Sequence, residues 1–117
     1  MSYVDCMLAA VPSDNKAQYI QHARITGAIF KEYGALAIVE NWGDEIPEGD
    51  VTSLIKAVKA KPNETVALSW IIWPSKDVRD KAWQAVMEDP RMMDTSNPMP
   101  FDGQRLIHGG FESILQL

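Results

Sequence analysis

The 117-residue chain is predicted to be an α+β domain on the ferredoxin-like plan, βαββαβ. In this plan a four-stranded antiparallel sheet carries both helices on one face, and a second copy packs sheet to sheet on the other (a dimeric α/β barrel). Three observations predict it. Apolar residues recur at helical spacing in two segments and alternate in four others. The order is strand, helix, strand, strand, helix, strand, which is the split βαβ arrangement. Finally, two helices can cover only one face of such a sheet, yet the strongest strand is apolar on both faces.

Residues 3–11 are rich in apolar side chains and stop at Pro12-Ser13-Asp14, a strand followed by a break. Ser13 or Asp14 is placed to cap the first helix. There Tyr19, Ile20, Ala23, Gly27, Phe30 and Tyr33 form one stripe at three- and four-residue spacing, with His22 at its edge, facing solvent or the core margin. Gly34 is expected to close the helix in a left-handed conformation. Gly27, in mid-helix, costs up to about 1 kcal/mol relative to alanine and lets the helix approach the sheet.

Residues 35–42 read as the second strand, with Leu36, Ile38, Glu40 and Trp42 on one face and Ala37, Val39 and Asn41 on the other. Glu40 is out of place among apolar neighbours, because an unpaired buried carboxylate is costly. Either that end of the strand is open to water or Glu40 has a partner. Residues 43–50 form an acidic loop without calcium-loop spacing. Residues 51–60 suit either a helix or a strand, and a short strand or irregular arm is expected there.

Residues 65–73 are the strongest strand, with Val66, Leu68, Trp70 and Ile72 on one face and Ala67, Ser69, Ile71 and Trp73 on the other. Pro74-Ser75 ends it and caps a second helix with Val78, Ala82, Ala85 and Val86 inward. Asp89-Pro90 closes that helix and begins a short turn. Asp102-Gly103 is a turn, and residues 104–117 are read as the last strand, broken by Gly109-Gly110.

Composition narrows the function classes. With 16 acidic against 11 basic residues the net charge is −5, so nucleic acid, whose binders need a basic face, is not an expected partner. The single cysteine, Cys6, cannot form an internal disulfide and suits a reducing, cytoplasmic setting. No secretory pattern opens the chain, and no apolar run reaches the ~20 residues of a membrane span. Two histidines and one cysteine lie far apart, so no metal or cofactor is expected. Neither a phosphate loop nor a nucleophile elbow is present. Residues 1–117 are read as one domain.

Both faces of the third strand need a cover, and no segment beyond the helices is expected to supply it for the second face. A two-fold homodimer is the economical answer.

Several stretches carry a family resemblance: Tyr3-Val4-Asp5, Val39-Glu40, Ala57-Val58-Lys59-Ala60, Ser69-Trp70-Ile71, Trp73-Pro74-Ser75, Asp89-Pro90-Arg91-Met92 and Met99-Pro100-Phe101-Asp102-Gly103, followed by Arg105 and Gly109-Gly110-Phe111-Glu112. Across essentially the whole chain they resemble the YbaA-like bacterial family (domain of unknown function 1428), within the dimeric α/β-barrel superfamily. The resemblance implies the fold and the dimer, and no activity, since the family has none assigned. Cys6 stands where the family pattern tends to have glycine, and His108 where it tends to have tyrosine. Superfamily relatives include cofactor-free monooxygenases, lactone isomerases and haem-binding proteins, with ligands between sheet and helices. Haem is disfavoured because residues 75–89 hold no histidine.

Two functional readings follow. One is a non-catalytic or small-ligand-binding homodimer. The alternative is a cofactor-free small-molecule enzyme, monooxygenase- or isomerase-like, with a cleft between sheet and helices. Trp42, Trp70, Gly109 and Gly110 are the pocket candidates. Glu40, Arg105 and His108 are the candidate acid, anion anchor and proton carrier.

Overall fold

A computed structural model describes residues 2–117. Strand β1 (Tyr3–Pro12) leads through a 3-10 turn (Ser13–Asn15) into helix α1 (Lys16–Glu32), then β2 (Ala37–Trp42) and a one-turn helix α2 (Leu54–Ala57). Strand β3 (Glu64–Trp73), helix α3 (Lys76–Glu88), two 3-10 turns (Pro90–Met93 and Gly103–Arg105) and β4 (Ile107–Glu112) complete the chain. The sheet order is β2-β3-β1-β4, and every neighbouring pair is antiparallel. This is the ferredoxin-like topology expected from the order of elements.

Residues directly opposite one another in an antiparallel pair share a face. The pairs Cys6↔Trp70, Leu8↔Leu68, Val39↔Trp70, Val4↔Phe111 and Cys6↔Gly109 therefore define one face. The pairs Ala9↔Ala67, Glu40↔Ser69, Ile38↔Ile71 and Met7↔His108 define the other. Both long helices lie on this second face. Ile29 and Phe30 of α1 and Ala82 and Val86 of α3 pack with Ile71 and Trp73 of the sheet, and Phe30 meets Trp83 and Trp73 edge-on.

Among the described residues the opposite face is covered at one end only. Val58, Ile55 and Ile46 pack on Ala10, Val66 and Leu8, so part of the cover thought to be lacking comes from within the chain. Its neighbours Ile107 and Phe111 stay 40% and 57% exposed.

Local chemistry explains the boundaries. Gly34 adopts φ +114°, and the amides of Gly34 and Ala35 reach back to the carbonyls of Lys31 and Phe30, closing α1 as expected. The start of α1 differs: neither Ser13 nor Asp14 caps it, because both belong to the 3-10 turn. Asn15 takes the capping position without a side-chain cap bond and donates to the Pro100 carbonyl instead, at 3.0 Å. Residues 51–60 hold a helical turn rather than a strand, since the Ser53 hydroxyl accepts from the Lys56 amide at 3.0 Å and caps it. Ser75 and Asp89 cap α3 and the following turn as read from sequence.

The last strand is shorter than residues 104–117. Asp102 accepts from the Gln104 amide at 3.0 Å and nucleates a 3-10 turn. At the other end pairing stops with Tyr3↔Glu112, where β1 itself begins.

Candidate functional site

The face of α1 turned to the sheet carries Tyr19, His22, Ala23, Thr26, Gly27 and Phe30, a spacing that keeps all six on one side of a helix. Opposite them stand Ala9 of β1, Glu40 of β2, and Ala67 and Ser69 of β3. Small residues (Ala9, Ala23, Gly27, Ala67, Ser69) at the centre of this layer leave the packing incomplete. A cavity of about 100 Å³ results, roomy against the few small voids usual in an interior. Phe101 and Leu106, from the loop before β4, close its end.

Most of the wall is apolar, and its polar groups converge. The Tyr19 hydroxyl donates to Glu40 Oε1 at 2.5 Å, and Glu40 sits directly across from buried Ser69. Glu40 shares its face with Ile38 and Trp42, and both readings of its position hold: it is exposed to water on one side and has Tyr19 as a partner on the other. Burial pushes the Glu40 carboxyl above its usual range, against the opposing hydrogen bond from Tyr19. Burial also drives the Tyr19 phenol far above its ordinary value, and the Glu40 charge adds to the rise. Glu40 is nevertheless exposed on its outer side, so the pair is a fixed phenol donor beside a carboxyl that holds a proton somewhat more readily than a free one. His22 Nδ1 lies 3.2 Å from Asn97 Oδ1, and Phe101 stacks at 6.0 Å from Tyr19 and edge-on at 6.4 Å from His22. A carboxylate of this kind can accept a proton or hold a hydroxyl, amide or protonated acid of a bound molecule.

The remaining candidates are dispersed. Trp42 packs at a tilt against Tyr19, ring centres 5.7 Å apart, and adjoins the cavity. Trp70 cannot line the same cleft, because its pairing with Cys6 and Val39 puts it on the opposite face of the sheet. Arg105 is not free to anchor an anion. It forks onto Glu64 at 2.7 and 2.8 Å and reaches Asp102 at 2.9 Å; the Arg105 hydrogen bonds in turn hold the Glu64 carboxyl down at about 2. His108 lies on the helix side of edge strand β4, opposite Met7, and does not reach the cavity wall.

Gly109 and Gly110 have separate surroundings. A Cβ on Gly110 would stand 2.8 Å from Cε2 of Tyr3, so the glycine makes room for that ring. Gly109 points to the open face, where a Cβ would meet only the Phe111 ring at 3.6 Å.

Tyr19, His22, Ser69 and Phe101 are site residues that sequence reasoning did not single out. The one signal was Glu40 among apolar neighbours.

Another charged centre is structural. Asp5, 4% exposed, accepts from the indoles of Trp73 and Trp83 at 2.9 and 2.8 Å and from Arg79 at 2.7 Å. Burial raises its carboxyl, and the bonds from Arg79 and the two tryptophans more than offset that, leaving it below the usual range. Arg79 also lies over the Tyr3 ring, 5.2 Å from its centre.

An outer trough of about 520 Å³ runs along β2, between its edge and α1. Ala23, Gly27, Ile38 and Glu40 belong to both the trough and the inner cavity. Among the described residues no group of three or more His, Cys, Asp or Glu is placed to hold a metal ion, and no helix is long and apolar enough to cross a membrane.

The profile of a family described as "Protein of unknown function (DUF1428)" matches residues 2–103. "Uncharacterized protein YbaA" of Escherichia coli strain K12 is 53% identical over 115 residues, 98% of each chain, and the Shigella flexneri protein of that name gives the same figures. Among solved structures, a "dimeric ferredoxin-like protein" from an uncultured marine organism superposes with a TM-score of 0.61 at 7% identity, covering 99% of this chain and 98% of that one. A variant of SnoaB, described as a cofactor-independent oxygenase from Streptomyces nogalater, gives 0.55 at 16% identity, covering 99% and 96%. At such identities these two likenesses speak to the fold alone.

Proposed function

The chain belongs to the DUF1428 family of proteins of unknown function, and within it we propose that this member is a cytoplasmic homodimer that binds a small, largely apolar molecule between α1 and the sheet. The observation that carries the reading is the hydrogen-bonded Tyr19–Glu40 pair in the wall of an otherwise apolar cavity. A well-formed apolar pocket with a few convergent polar groups and a perturbed carboxyl is the usual form of a ligand site. The dimer is supported by the open face, where Phe111 and Ile107 remain exposed on the same side of the sheet as Leu68 and Trp70, and by the fold shared with a protein described as dimeric. Cys6, free and half-buried on that face, fits a reducing compartment.

The test is a fragment library followed by thermal unfolding, run on the wild type and on Ala23→Phe, which fills the cavity. Ligands that raise the melting temperature of the wild type and not of the variant support the reading. No stabilising fragment, or equal shifts in both proteins, contradicts it.

One observation favours the enzyme reading as the second choice. Glu40 uses only Oε1 on Tyr19, and burial raises its affinity for a proton, so Oε2 is available as a base toward a bound acid. Once a ligand is known, its chemical conversion by wild type, lost in Glu40→Gln with binding retained, identifies an enzyme. A ligand recovered unchanged identifies a binder.

A further inference from the structure

We infer that residues 94–101 form a gate over the cavity, with Phe101 as its plug and with Asn15 and His22 as the latches that hold it shut. This rests on the cavity as the proposed ligand site and names the wall that moves to admit a molecule.

The first observation is how the segment is held. Both of its ends are fixed. The 3-10 turn before it is capped by Asp89, to which Arg91 donates at 2.8 Å; the turn after it is capped by Asp102 and pinned by Arg105 on Glu64 at 2.7 Å. Between these anchors the amides of Ser96 and Asn97 turn back onto Asp94. Among the described residues, two hydrogen bonds tie residues 95–101 to the rest of the fold. Asn15 Nδ2 donates to the Pro100 carbonyl at 3.0 Å, and His22 Nδ1 meets Asn97 Oδ1 at 3.2 Å. Displacing α1 or a strand would break a whole ladder of bonds, so this is the wall that opens at least cost.

The second observation concerns Asn15. It occupies the capping position of α1, where its side chain could satisfy a free helix amide. It makes no such bond and reaches across the fold to Pro100 instead.

The third is the placement of Phe101. Its ring lies 6.0 Å from that of Tyr19 and edge-on to His22 at 6.4 Å, and it packs over Ala9 and Ala67 of the cavity floor. Outside it, a groove of about 480 Å³ separates Ser96, Asn97 and Pro98 from Ala17, Gln18 and Gln21 of α1, and His22 lines both this groove and the cavity. Lifting the segment on its two anchors joins the two spaces. Pro98 and Pro100 restrict the backbone, so the segment moves as a stiff flap.

The experiment reads opening without any ligand. In a Cys6→Ala background, Ala67→Cys puts a thiol in the cavity floor, at a position 1% exposed, and mass spectrometry follows its reaction with methyl methanethiosulfonate. It should react about a hundredfold more slowly than the thiol of Val51→Cys, a position 93% exposed, because two hydrogen bonds and an aromatic contact hold the gate. Asn15→Ala/Asn97→Ala should speed the reaction about thirtyfold, each neutral bond contributing roughly three- to tenfold to closure. Low urea should change the rate little, as a local opening exposes little surface. Gly110→Ala, which strains the sheet away from the flap, should leave it unchanged. A thiol at 67 as reactive as one at 51 means that the cavity stands open and has no gate. A rate indifferent to the latch variants, equally raised by Gly110→Ala, or as steep in urea as global unfolding also overturns the inference. If Ala67→Cys does not fold, Ala9→Cys, directly across the sheet and 2% exposed, gives the same readout. The fragment screen judges the ligand site separately: the gate stands if it opens as described though nothing binds, and fragments that bind a cavity without a gate leave the site standing.

Discussion

Tyr19→Phe removes one oxygen from the cavity wall, and with it the bond to Glu40 Oε1 at 2.5 Å and the phenol's contact with Ser69; the part of the cost that varies with pH belongs to Glu40. A net hydrogen bond to a charged acceptor is worth about 1.5–3 kcal/mol and to a neutral one about 0.5–1.5 kcal/mol. Glu40 reaches solvent on its trough side, which favours the low end of each range. Its folded-state pKa lies above the ordinary value. Stability associated with Glu40 is therefore fully present below the unfolded pKa and is lost as pH rises through the raised folded pKa. Because the phenol favours the charged carboxyl, removing it pushes that pKa higher still and deepens the loss at neutral pH. The expected cost of Tyr19→Phe is about 0.5 kcal/mol at pH 4, growing to about 1.5 kcal/mol at pH 8. Urea unfolding across this range at one fixed protomer concentration measures the difference, and common effects of other acids cancel between the two proteins. In the Glu40→Gln background the pH dependence of the difference should vanish. A cost independent of pH, or one that shrinks toward pH 8, would refute the description of the pair.

Other outcomes follow from the rest of the structure. Asp5→Ala leaves two indole donors without their acceptor and Arg79 with only Asp80 and should cost about 3 kcal/mol by urea unfolding. Because the folded Asp5 pKa is depressed, the stability Asp5 supplies is present above the unfolded aspartate range and is lost as pH falls through the lower folded pKa. The variant should therefore show a shallower decline of stability in acid than the wild type. Gly110→Ala drives a methyl group into the Tyr3 ring and should destabilise by about 1–3 kcal/mol, whereas Gly109→Ala, with only Phe111 nearby, should change the unfolding of an isolated protomer far less. Phe111→Glu places a charge on the open sheet face and should turn a dimer into a monomer by light scattering at micromolar concentration; a wild type already monomeric there would overturn the dimer.

Patterning legible in the sequence carried the order of elements, the faces of the second and third strands and the caps at Gly34, Ser75 and Asp89. Relations that depend on register were not legible. Trp42 and Trp70 each had a face assigned within its own strand, but only the pairing Val39↔Trp70 puts them on opposite sides of the sheet. Arg105 fell inside the run read as the last strand, but the Asp102 cap turns it back toward Glu64. The site was half legible: Glu40 stood out because a carboxylate does not belong on an apolar face, while Tyr19 was hidden by fitting its helical stripe so well. His22 read as an edge residue because its partners Asn97 and Phe101 come from a loop more than 70 residues away in sequence, a contact no local pattern encodes. Residues 51–60 were ambiguous because one capped turn of helix is too short to show a period.

The central claim is that the space between α1 and the sheet, at the Tyr19–Glu40 pair, is where a small molecule binds. The most direct measurement is an amide NMR titration of the isotope-labelled protein with the fragment that most raises its melting temperature. Shifts concentrated on Ala23, Thr26, Gly27 and Ser69 are the expected result. Shifts concentrated on Leu68, Ile107 and Phe111 of the opposite face, with the cavity residues unmoved, would contradict it.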